Sequence, residues 1–227
     1  MPGKMLADVG GVPLVVRTWA AVHAAGFDRL VVATDDEEIA RVVAAAGGEA
    51  VLTGEAPNGT VRVAEAVRRL AWPADVVLNV QGDEPLVQVE TLRAVAASLT
   101  GSAGHGFDVG TAAAPLEPAE AELAERVKVV TGAGERALFF SRSPIPTGGP
   151  WRVHVGVYAF RAGVLERLIR LPVSTLEHSE RLEQLRWLEN GVPIRVVEVA
   201  APGPSVDTAT DLARVREIVA ARRARLG

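Results

Sequence analysis

The 227-residue sequence contains no cysteine and no long hydrophobic run. The missing cysteine excludes disulfides, thiolate zinc sites and cysteine nucleophiles, so any bound metal must be held by oxygen or histidine ligands. No apolar run approaches the roughly 20 residues that span a bilayer. The start of the sequence shows no basic-then-apolar signal pattern. We therefore expect a soluble, cytoplasmic protein without a membrane partner.

Basic residues are not in excess either. The formal net charge is −4, from 24 Lys and Arg against 28 Asp and Glu, whereas proteins that follow a nucleic-acid backbone are strongly basic. The composition thus argues against nucleic-acid binding, and no Walker or dinucleotide fingerprint is present. The chain is 48% hydrophobic, enough for one sizeable core. We expect a single domain over residues 1–227.

The first half of the chain alternates short apolar runs with amphipathic stretches. RLVVATD, EAVLT and DVVLNVQGDEP each precede a segment with helical spacing, such as DEEIARVVAAAGG, in which Ile39, Val42 and Val43 share one face. Strands rich in Val and Leu without polar alternation are covered on both faces, and strands separated by helices favour a parallel sheet. The pattern predicts a three-layer α/β domain.

The second half predicts an antiparallel excursion at about residues 127–160. VKVVTGAG, ERALFFSRSPIP and WRVHVGVYAF have the composition of strands, the first two joined by a turn that contains glycine. A single helix is predicted over residues 174–191, with Ser174 or Thr175 as its cap and Gly191 as its end. A last strand, IRVVEVA, and a last helix complete the chain.

Acidic residues stand where ligands gather in parallel α/β sheets, beyond the carboxyl ends of the strands. Asp83 follows the third predicted strand, and Asp207 precedes the last helix. Mg²⁺ is held by one or two carboxylates together with phosphate oxygens, so the pair suggests a Mg²⁺-phosphate site. From the residues alone, a solvated turn at Asp83 and an ordinary helix start at Asp207 stay open as alternatives.

Other polar side chains are candidates for ligand contacts, and each also fits a surface or structural role. Arg142 ends an apolar strand, where a guanidinium can bind a carboxylate or phosphate. His154 and Tyr158 lie four residues apart on one predicted strand and therefore face the same side. The remaining candidates are Lys4 near the start, Gly59, Thr60 and Arg62 in the loop before the second helix, Gln81 beside Asp83, and Glu183 and Gln184 on the predicted long helix.

Several of these segments together resemble a known family. MPGK, VVATDD, NGTVR, LNVQGDEP, FFSRSPIP, HVGVYAF, LEHSERLEQLRWLENG and VDTATDL occur in the order found in CMP-Kdo synthetases, the 3-deoxy-manno-octulosonate cytidylyltransferases, over residues 1 to about 218. The resemblance implies an α/β, three-layer nucleotide-diphospho-sugar transferase fold with a mainly parallel mixed sheet and a small antiparallel dimerisation segment. It implies that the anomeric hydroxyl of Kdo attacks the α-phosphorus of CTP. Pyrophosphate would leave, and CMP-Kdo would serve lipopolysaccharide synthesis.

The resemblance also assigns roles to residues. Asp83 and Asp207 match the ligands of Mg²⁺, the implied cofactor, and Lys4 matches a phosphate-binding lysine of the catalytic set. Gly59, Thr60 and Arg62 fall where the family contacts cytidine. The implied Kdo pocket consists of Gln81, Arg142, His154, Tyr158, Glu183 and Gln184. The implied partners are CTP and Kdo as substrates and a second copy of the chain in a homodimer.

The sequence departs from the family pattern in three places. Family members open with a strand and a loop of the form IPARxxSTRLPGK, of which this sequence has only PGK. We expect the codons upstream of Met1 to encode an in-frame PAR...STR segment. The loop APNGTVR lacks the usual histidine and acid around SGTxR, and the stretch between SPIP and WRVHVGVY is short. Two alternatives follow, a truncated nonenzymatic nucleotide-binding module and another CMP-sugar synthetase, such as one for a nonulosonate. QGDEP and the LEQLR helix argue against the second.

Overall fold

A computed structural model describes residue 1, residues 3–71 and residues 73–225, with only the backbone of Ala103. Within them, the strands are β1 (Val31–Thr34), β2 (Glu49–Leu52), β3 (Val76–Asn79), β4 (Val109–Leu116), β5 (Lys128–Thr131), β6 (Ala137–Ser141), β7 (Trp151–Arg161) and β8 (Ile194–Glu198). The α-helices are α1 (Leu14–His23), α2 (Glu37–Ala45), α3 (Gly59–Arg69), α4 (Val89–Ala97), α5 (Ala162–Leu168), α6 (Thr175–Glu180), α7 (Gln184–Glu189) and α8 (Ala209–Ala224). None of these described helices is long and apolar enough to cross a membrane.

The chain divides into two compact units. Unit 1 comprises Met1–Trp72, Val80–Leu92 and Gly203–Gly227, and unit 2 comprises Pro73–Asn79 and Arg93–Pro202. The chain enters unit 2 at Pro73, three residues before β3, and returns to unit 1 directly after β3. The residues that follow β3 in sequence, including Asp83, therefore belong to unit 1.

Unit 1 is built on two parallel strands covered by helices. β1 and β2 pair in parallel from Val31↔Glu49 to Thr34↔Leu52. The Asp36 side chain caps α2 by accepting hydrogen bonds from two backbone N–H groups of its first turn. The buried face of α2, with Val43 fully buried, packs in one apolar cluster with α1, β1 and β2. This face is the one that the spacing of Ile39, Val42 and Val43 predicts.

A second apolar cluster of unit 1 joins both ends of the chain. Val9 and Leu14 pack against Val206 and the buried face of α8, which consists of Leu212, Val215 and Val219. Val206 is fully buried. The cluster fixes the backbone on either side of Asp207, the residue between Val206 and the start of α8.

Unit 2 contains a six-stranded mixed sheet around β7. One edge of β7 pairs antiparallel with β4, which in turn pairs in parallel with β8. The other edge pairs antiparallel with β3 and, at Lys128↔Val153, with β5, which continues to β6. It follows that β3, β4, β5 and β8 run in one direction, and β7 and β6 run in the other. The α/β fold class with a mixed sheet is confirmed.

The predicted helix over residues 174–191 is wrong, because the segment forms two short helices. Ser174, and not Thr175, caps α6 through a capping box with Glu177. α6 ends at Glu180 because Arg181 adopts a left-handed conformation with φ 54°, and α7 begins three residues later. Gly191 has φ 70° directly after the second helix, as expected for a helix end.

Sequence analysis also missed strand β4 and helix α5. β4 is short of the large β-branched residues that typify strands, since it reads VGTAAAPL. Its Gly110 is needed for packing, because a Cβ there would lie 2.0 Å from Ser98 Oγ of α4's C-terminal end. Close packing against a neighbouring helix thus replaces the usual strand composition.

Candidate active site

In unit 1, the side chains of Asp83 and Asp207 both contact the ammonium group of Lys4. Lys4 Nζ lies 2.6 Å from Asp83 Oδ2 and 3.3 Å from Asp207 Oδ1, and it also donates to the Val206 carbonyl at 3.0 Å. The side chains of Lys4 and Asp83 are 20% and 18% exposed, whereas that of Asp207 is 70% exposed. The structure therefore brings together three residues that lie up to 203 positions apart in sequence.

Backbone hydrogen bonds hold Asp83 in this position. β3 ends at Asn79, so Asp83 lies in a loop rather than at the last residue of the strand. The Asp83 carbonyl accepts from the Val206 N–H at 3.0 Å, and the preceding Gly82 carbonyl accepts from Thr18 Oγ1 at 2.8 Å. These bonds tie the Asp83 loop to α1 on one side and to the segment before α8 on the other.

The start of α8 holds Asp207 from the opposite direction. Thr208 caps the helix in a capping box with Asp211, whose Oδ2 also accepts from the Asp207 N–H at 3.2 Å. Hydrogen bonds from the Thr208 side chain and from both backbone N–H groups lower the pKa of Asp211. Asp207 is thus fixed between buried Val206 and a capped helix.

The electrostatics of this cluster favour a charged lysine. Burial alone would lower the pKa of Lys4, but the hydrogen bonds and charges of Asp83 and Asp207 outweigh burial and raise it. Neighbouring Glu84, in contrast, favours its uncharged form. Burial, followed by the charges of Asp83 and Asp207, raises the pKa of Glu84 to about 8. The cluster accommodates positive charge and resists a third negative one.

The two aspartates fit a hard divalent ion. Their carboxylate oxygens already converge on a single positive charge, and oxygen ligands suit Mg²⁺. The described residues contain no group of three or more His, Cys, Asp or Glu side chains arranged to hold a metal ion. A metal at Asp83 and Asp207 would therefore need further ligands from phosphate oxygens or water, which is the usual pattern for Mg²⁺.

The start of α3 supplies a second part of unit 1. Asn58 caps this 11-residue helix, with Oδ1 accepting from the Val61 N–H at 2.9 Å. The Gln81 side chain covers Gly59 closely, because a Cβ at Gly59 would lie 3.1 Å from Gln81 Nε2. Gln81 therefore lies beside the residues expected to contact cytidine. Thr60 is buried in the first turn.

The Arg62 side chain forms a hydrogen bond and an ion pair with other residues of unit 1. Its Nη1 donates to Thr53 Oγ1 at 2.9 Å, and its Nη2 pairs with Asp35 Oδ2 at 2.8 Å. The hydrogen bond from Arg62 lowers the pKa of Asp35. This ion pair connects α3 to the residue directly after β1, so Arg62 ties the first turns of α3 to the end of that strand.

The predicted sugar-pocket residues other than Gln81 lie in unit 2, and two of them have neighbouring rings on β7. The rings of His154 and Tyr158 are 5.3 Å apart, and Tyr158 packs edge to face on Trp187 at 5.3 Å. Burial lowers the pKa of His154 to about 4. Burial and then the charge of Glu183 raise the pKa of Tyr158 well above its ordinary value. Both side chains are therefore neutral at pH 7.

Thr111 holds the His154 ring in place. His154 Nε2 lies 2.9 Å from Thr111 Oγ1, which is also within hydrogen-bond distance of the Val155 and Val157 carbonyls, at 3.2 Å and 2.9 Å.

Gln184 and Glu183 start α7. The Gln184 residue is buried, with 5% exposure. Glu183 lies 3.4 Å from Arg186 Nη2, which Glu177 also binds at 2.8 Å.

Arg142, at the end of β6, is held by its neighbours. Its Nε donates to the Glu180 carbonyl at 2.9 Å, and its Nη1 donates to the Ala124 carbonyl at 3.0 Å. Sequence analysis missed the residues that hold Arg142 and His154, namely Glu180, Lys128 and Thr111. Lys128 had a visible signal, as the one charged residue within the apolar stretch VKVV. Glu180 is one of several acids in a charged segment and had none.

Comparisons with known proteins identify the family to which the chain is similar. A family described as Cytidylyltransferase matches residues 1–196. The chain is 48% identical to a 3-deoxy-manno-octulosonate cytidylyltransferase from Anaeromyxobacter sp. (strain K), over 97% of this chain and 92% of that protein. It is 43% identical to the protein of the same name from Methylococcus capsulatus, over 98% and 93%. A solved structure of CMP:2-keto-3-deoxy-manno-octonic acid synthetase complexed with CTP superposes with a TM-score of 0.92 at 37% identity, covering 98% of this chain and 93% of that one.

Proposed function

The chain belongs to the cytidylyltransferase family, and we propose that it transfers CMP from CTP to the anomeric hydroxyl of Kdo, releasing pyrophosphate. The names of its relatives support Kdo as the acceptor, and they do not favour a nonulosonate enzyme or a nonenzymatic module. The observation in this chain that carries the proposal is the convergence of Asp83 and Asp207 on the Lys4 ammonium.

The residues of unit 1 suit the nucleotide. Transfer between phosphates depends mainly on positioning and on neutralising the charge of the phosphate oxygens. We assign CTP phosphate binding to Lys4 and Mg²⁺ binding to Asp83 and Asp207. The metal, when bound, would supply further positive charge at the phosphates. Gly59 and Thr60 at the capped start of α3, with Arg62 behind them, would contact the cytidine.

The residues of unit 2 suit an acidic sugar. Kdo carries a carboxylate and several hydroxyl groups, and a guanidinium binds a carboxylate through paired N–H donors. We assign the carboxylate to Arg142. His154, Tyr158, Glu183 and Gln184 offer neutral and anionic groups for the hydroxyls. Gln81 was predicted for the same pocket. Its contact with Gly59 leads us to expect that its substitution also affects CTP binding.

The cellular setting and assembly rest on the family resemblance alone. We propose that the protein acts in the cytoplasm, that its product serves lipopolysaccharide synthesis, and that it forms a homodimer through the antiparallel segment at about residues 127–160. Sedimentation equilibrium of the purified protein tests the last point, because it gives the mass directly. A monomer at micromolar concentration would contradict it.

Pyrophosphate release with Mg²⁺, CTP and Kdo tests the function. Asp83→Asn and Asp207→Asn should each lower kcat/KM by a factor on the order of 10² or more, because each removes a carboxylate proposed to hold the metal. Asp8→Asn is the matched control, since Asp8 is an exposed aspartate of unit 1 that contacts neither residue. Its activity should equal that of the wild type.

Two outcomes would contradict the proposal. Unchanged turnover by Asp83→Asn would remove its assigned metal role. Release of pyrophosphate by the wild type with a nonulosonate such as N-acetylneuraminate, and none with Kdo, would assign the chain to another CMP-sugar synthetase.

A further inference from the structure

Four polar atoms of Arg142 have fixed partners. Its backbone N–H donates to Glu180 Oε2 at 2.8 Å, its Nε donates to the Glu180 carbonyl, and its Nη1 donates to the Ala124 carbonyl. Its own carbonyl accepts a hydrogen bond from Lys128 Nζ. Nη2 is the one Arg142 nitrogen without a hydrogen bond within the described residues. The guanidinium is therefore oriented and keeps one nitrogen for another group.

Lys128 is an unusual residue for its position on β5. It is fully buried, and its ammonium donates to the carbonyls of Leu123 and Arg142. Burial lowers the pKa of Lys128. A buried ammonium without a carboxylate partner is costly, and a methionine would fill much the same space without the charge. A functional role for the charge explains why this cost is tolerated. The charged group donates to the backbone carbonyl of Arg142, so its role concerns that residue.

Glu180 holds Arg142 through both its side chain and its backbone. Its Oε1 accepts from Ser141 Oγ at 2.8 Å, while Oε2 accepts from the Arg142 N–H. The Glu180 carbonyl is free to accept from Arg142 Nε because the helix stops there. Arg181 is in the left-handed region, which is unfavourable for a non-glycine residue. In a continuous helix this carbonyl would bond to a residue of the next turn.

We infer that Lys128 and Glu180 are positioning residues that hold the Arg142 guanidinium for the carboxylate of the acceptor sugar. The inference rests on the proposed function, and it adds two residues that do not touch substrate. An unconstrained arginine loses rotamer freedom when it binds a ligand, so a guanidinium that is already ordered binds more tightly. Removing either positioning residue should weaken binding of the sugar and leave CTP binding unchanged.

Steady-state kinetics of Lys128→Met and Glu180→Gln test this role. Each variant should raise the KM for Kdo about 10-fold to 100-fold, with the KM for CTP and kcat within about 3-fold of wild type, because binding common to ground and transition state is lost. Arg161→Met is the matched control. Arg161 also donates to two backbone carbonyls, of Phe107 and Gly104, but contacts neither Arg142 nor its partners. It should leave the KM for Kdo unchanged.

A double variant separates positioning from general damage. If Lys128 and Glu180 act through Arg142, adding either substitution to Arg142→Ala should cause no further rise in the KM for Kdo. The inference would be overturned if the effects of the two substitutions on the KM for Kdo multiplied in the double variant. It would also be overturned if a single substitution raised the KM for Kdo and the KM for CTP equally. Should Lys128→Met fail to fold, Glu180→Gln decides alone, since glutamine keeps the shape and loses one of two acceptor oxygens. A wild-type protein that releases no pyrophosphate from CTP and Kdo would refute the proposed function instead.

Discussion

The charge balance around Lys4 has a consequence for metal binding. Its ammonium contacts both aspartates proposed to hold Mg²⁺. Lys4 is also the residue proposed to bind phosphate. A divalent ion that binds the two carboxylates must therefore compete with the ammonium, whereas bound CTP would give Lys4 another anionic partner. Lys4 should weaken metal binding in the absence of nucleotide and support it in its presence.

Lys4→Met should bind Mn²⁺ about 10-fold more tightly than the wild type when no nucleotide is present, because it removes a competing charge at contact distance. Electron paramagnetic resonance of free Mn²⁺ measures this without relying on activity. Arg216→Met is the control, since it removes a positive charge of unit 1 that donates to the Asp8 carbonyl. Equal or weaker Mn²⁺ binding by Lys4→Met would refute the competition.

Single residues differed in how well the sequence predicted them. Asp83 and Asp207 were predicted as neighbours because ligand sites in α/β sheets follow a rule of position, and the structure brings them to one ammonium. The contacts of Glu180 follow no such rule. They depend on a tertiary contact between the end of β6 and the end of α6, which no local sequence pattern encodes.

At the level of elements, the sequence predicted those helix boundaries that the type of the local residue determines. A cap at Ser174 or Thr175 and an end at Gly191 were predicted from residue type, and the structure has the cap at Ser174. The break at Arg181 was not, because a left-handed arginine has an unfavourable local conformation that only its surroundings stabilise. Strand β4 was missed for a related reason, as its alanines and glycine gain stability from close packing rather than from strand propensity.

The start of α8 gives a prediction for an element. Thr208→Ala removes the cap from the helix that follows Asp207, and we expect it to lower the free energy of unfolding by about 1 kcal/mol at pH 7. Urea denaturation measures the change. Thr210→Ala, two residues further on and outside the capping box, should not destabilise the protein.

The same cap makes the effect depend on pH. The hydrogen bond from Thr208 lowers the pKa of folded Asp211 below its unfolded value of about 3.9. The stabilisation is therefore complete above that unfolded pKa and is lost as the pH falls through the lower folded pKa. The difference between Thr208→Ala and wild type should shrink between pH 6 and pH 3. A constant difference would show that Asp211 does not contribute as a carboxylate.

At the level of the whole molecule, the candidate residues divide between the two units. The residues assigned to CTP and metal lie in unit 1, and those assigned to Kdo, apart from Gln81, lie in unit 2. The α/β class followed from the alternating strands and helices of the first half of the chain. An antiparallel excursion at about residues 127–160 was predicted from strand composition, but the pairing of β7 with β3 and β4 was not, since it joins strands far apart in sequence.

Ligand-linked stability tests the assignment of CTP and metal together. A ligand that binds only the folded protein stabilises it by RT ln(1 + [L]/Kd), about 2.7 kcal/mol at 100 times Kd, which corresponds to a rise in Tm of roughly 5 to 10 °C for a chain of this size. CTP with Mg²⁺ should produce this rise in differential scanning calorimetry. CTP with EDTA should produce little of it, because the carboxylates of Asp83 and Asp207 then face the triphosphate without the ion that joins them. Asp83→Asn should remove the metal-dependent part of the rise in Tm.

If CTP raised Tm equally with EDTA and with Mg²⁺, nucleotide binding would not depend on a metal at these aspartates. If calorimetry resolves two transitions, the rise should occur in the transition of unit 1, which carries every residue assigned to CTP.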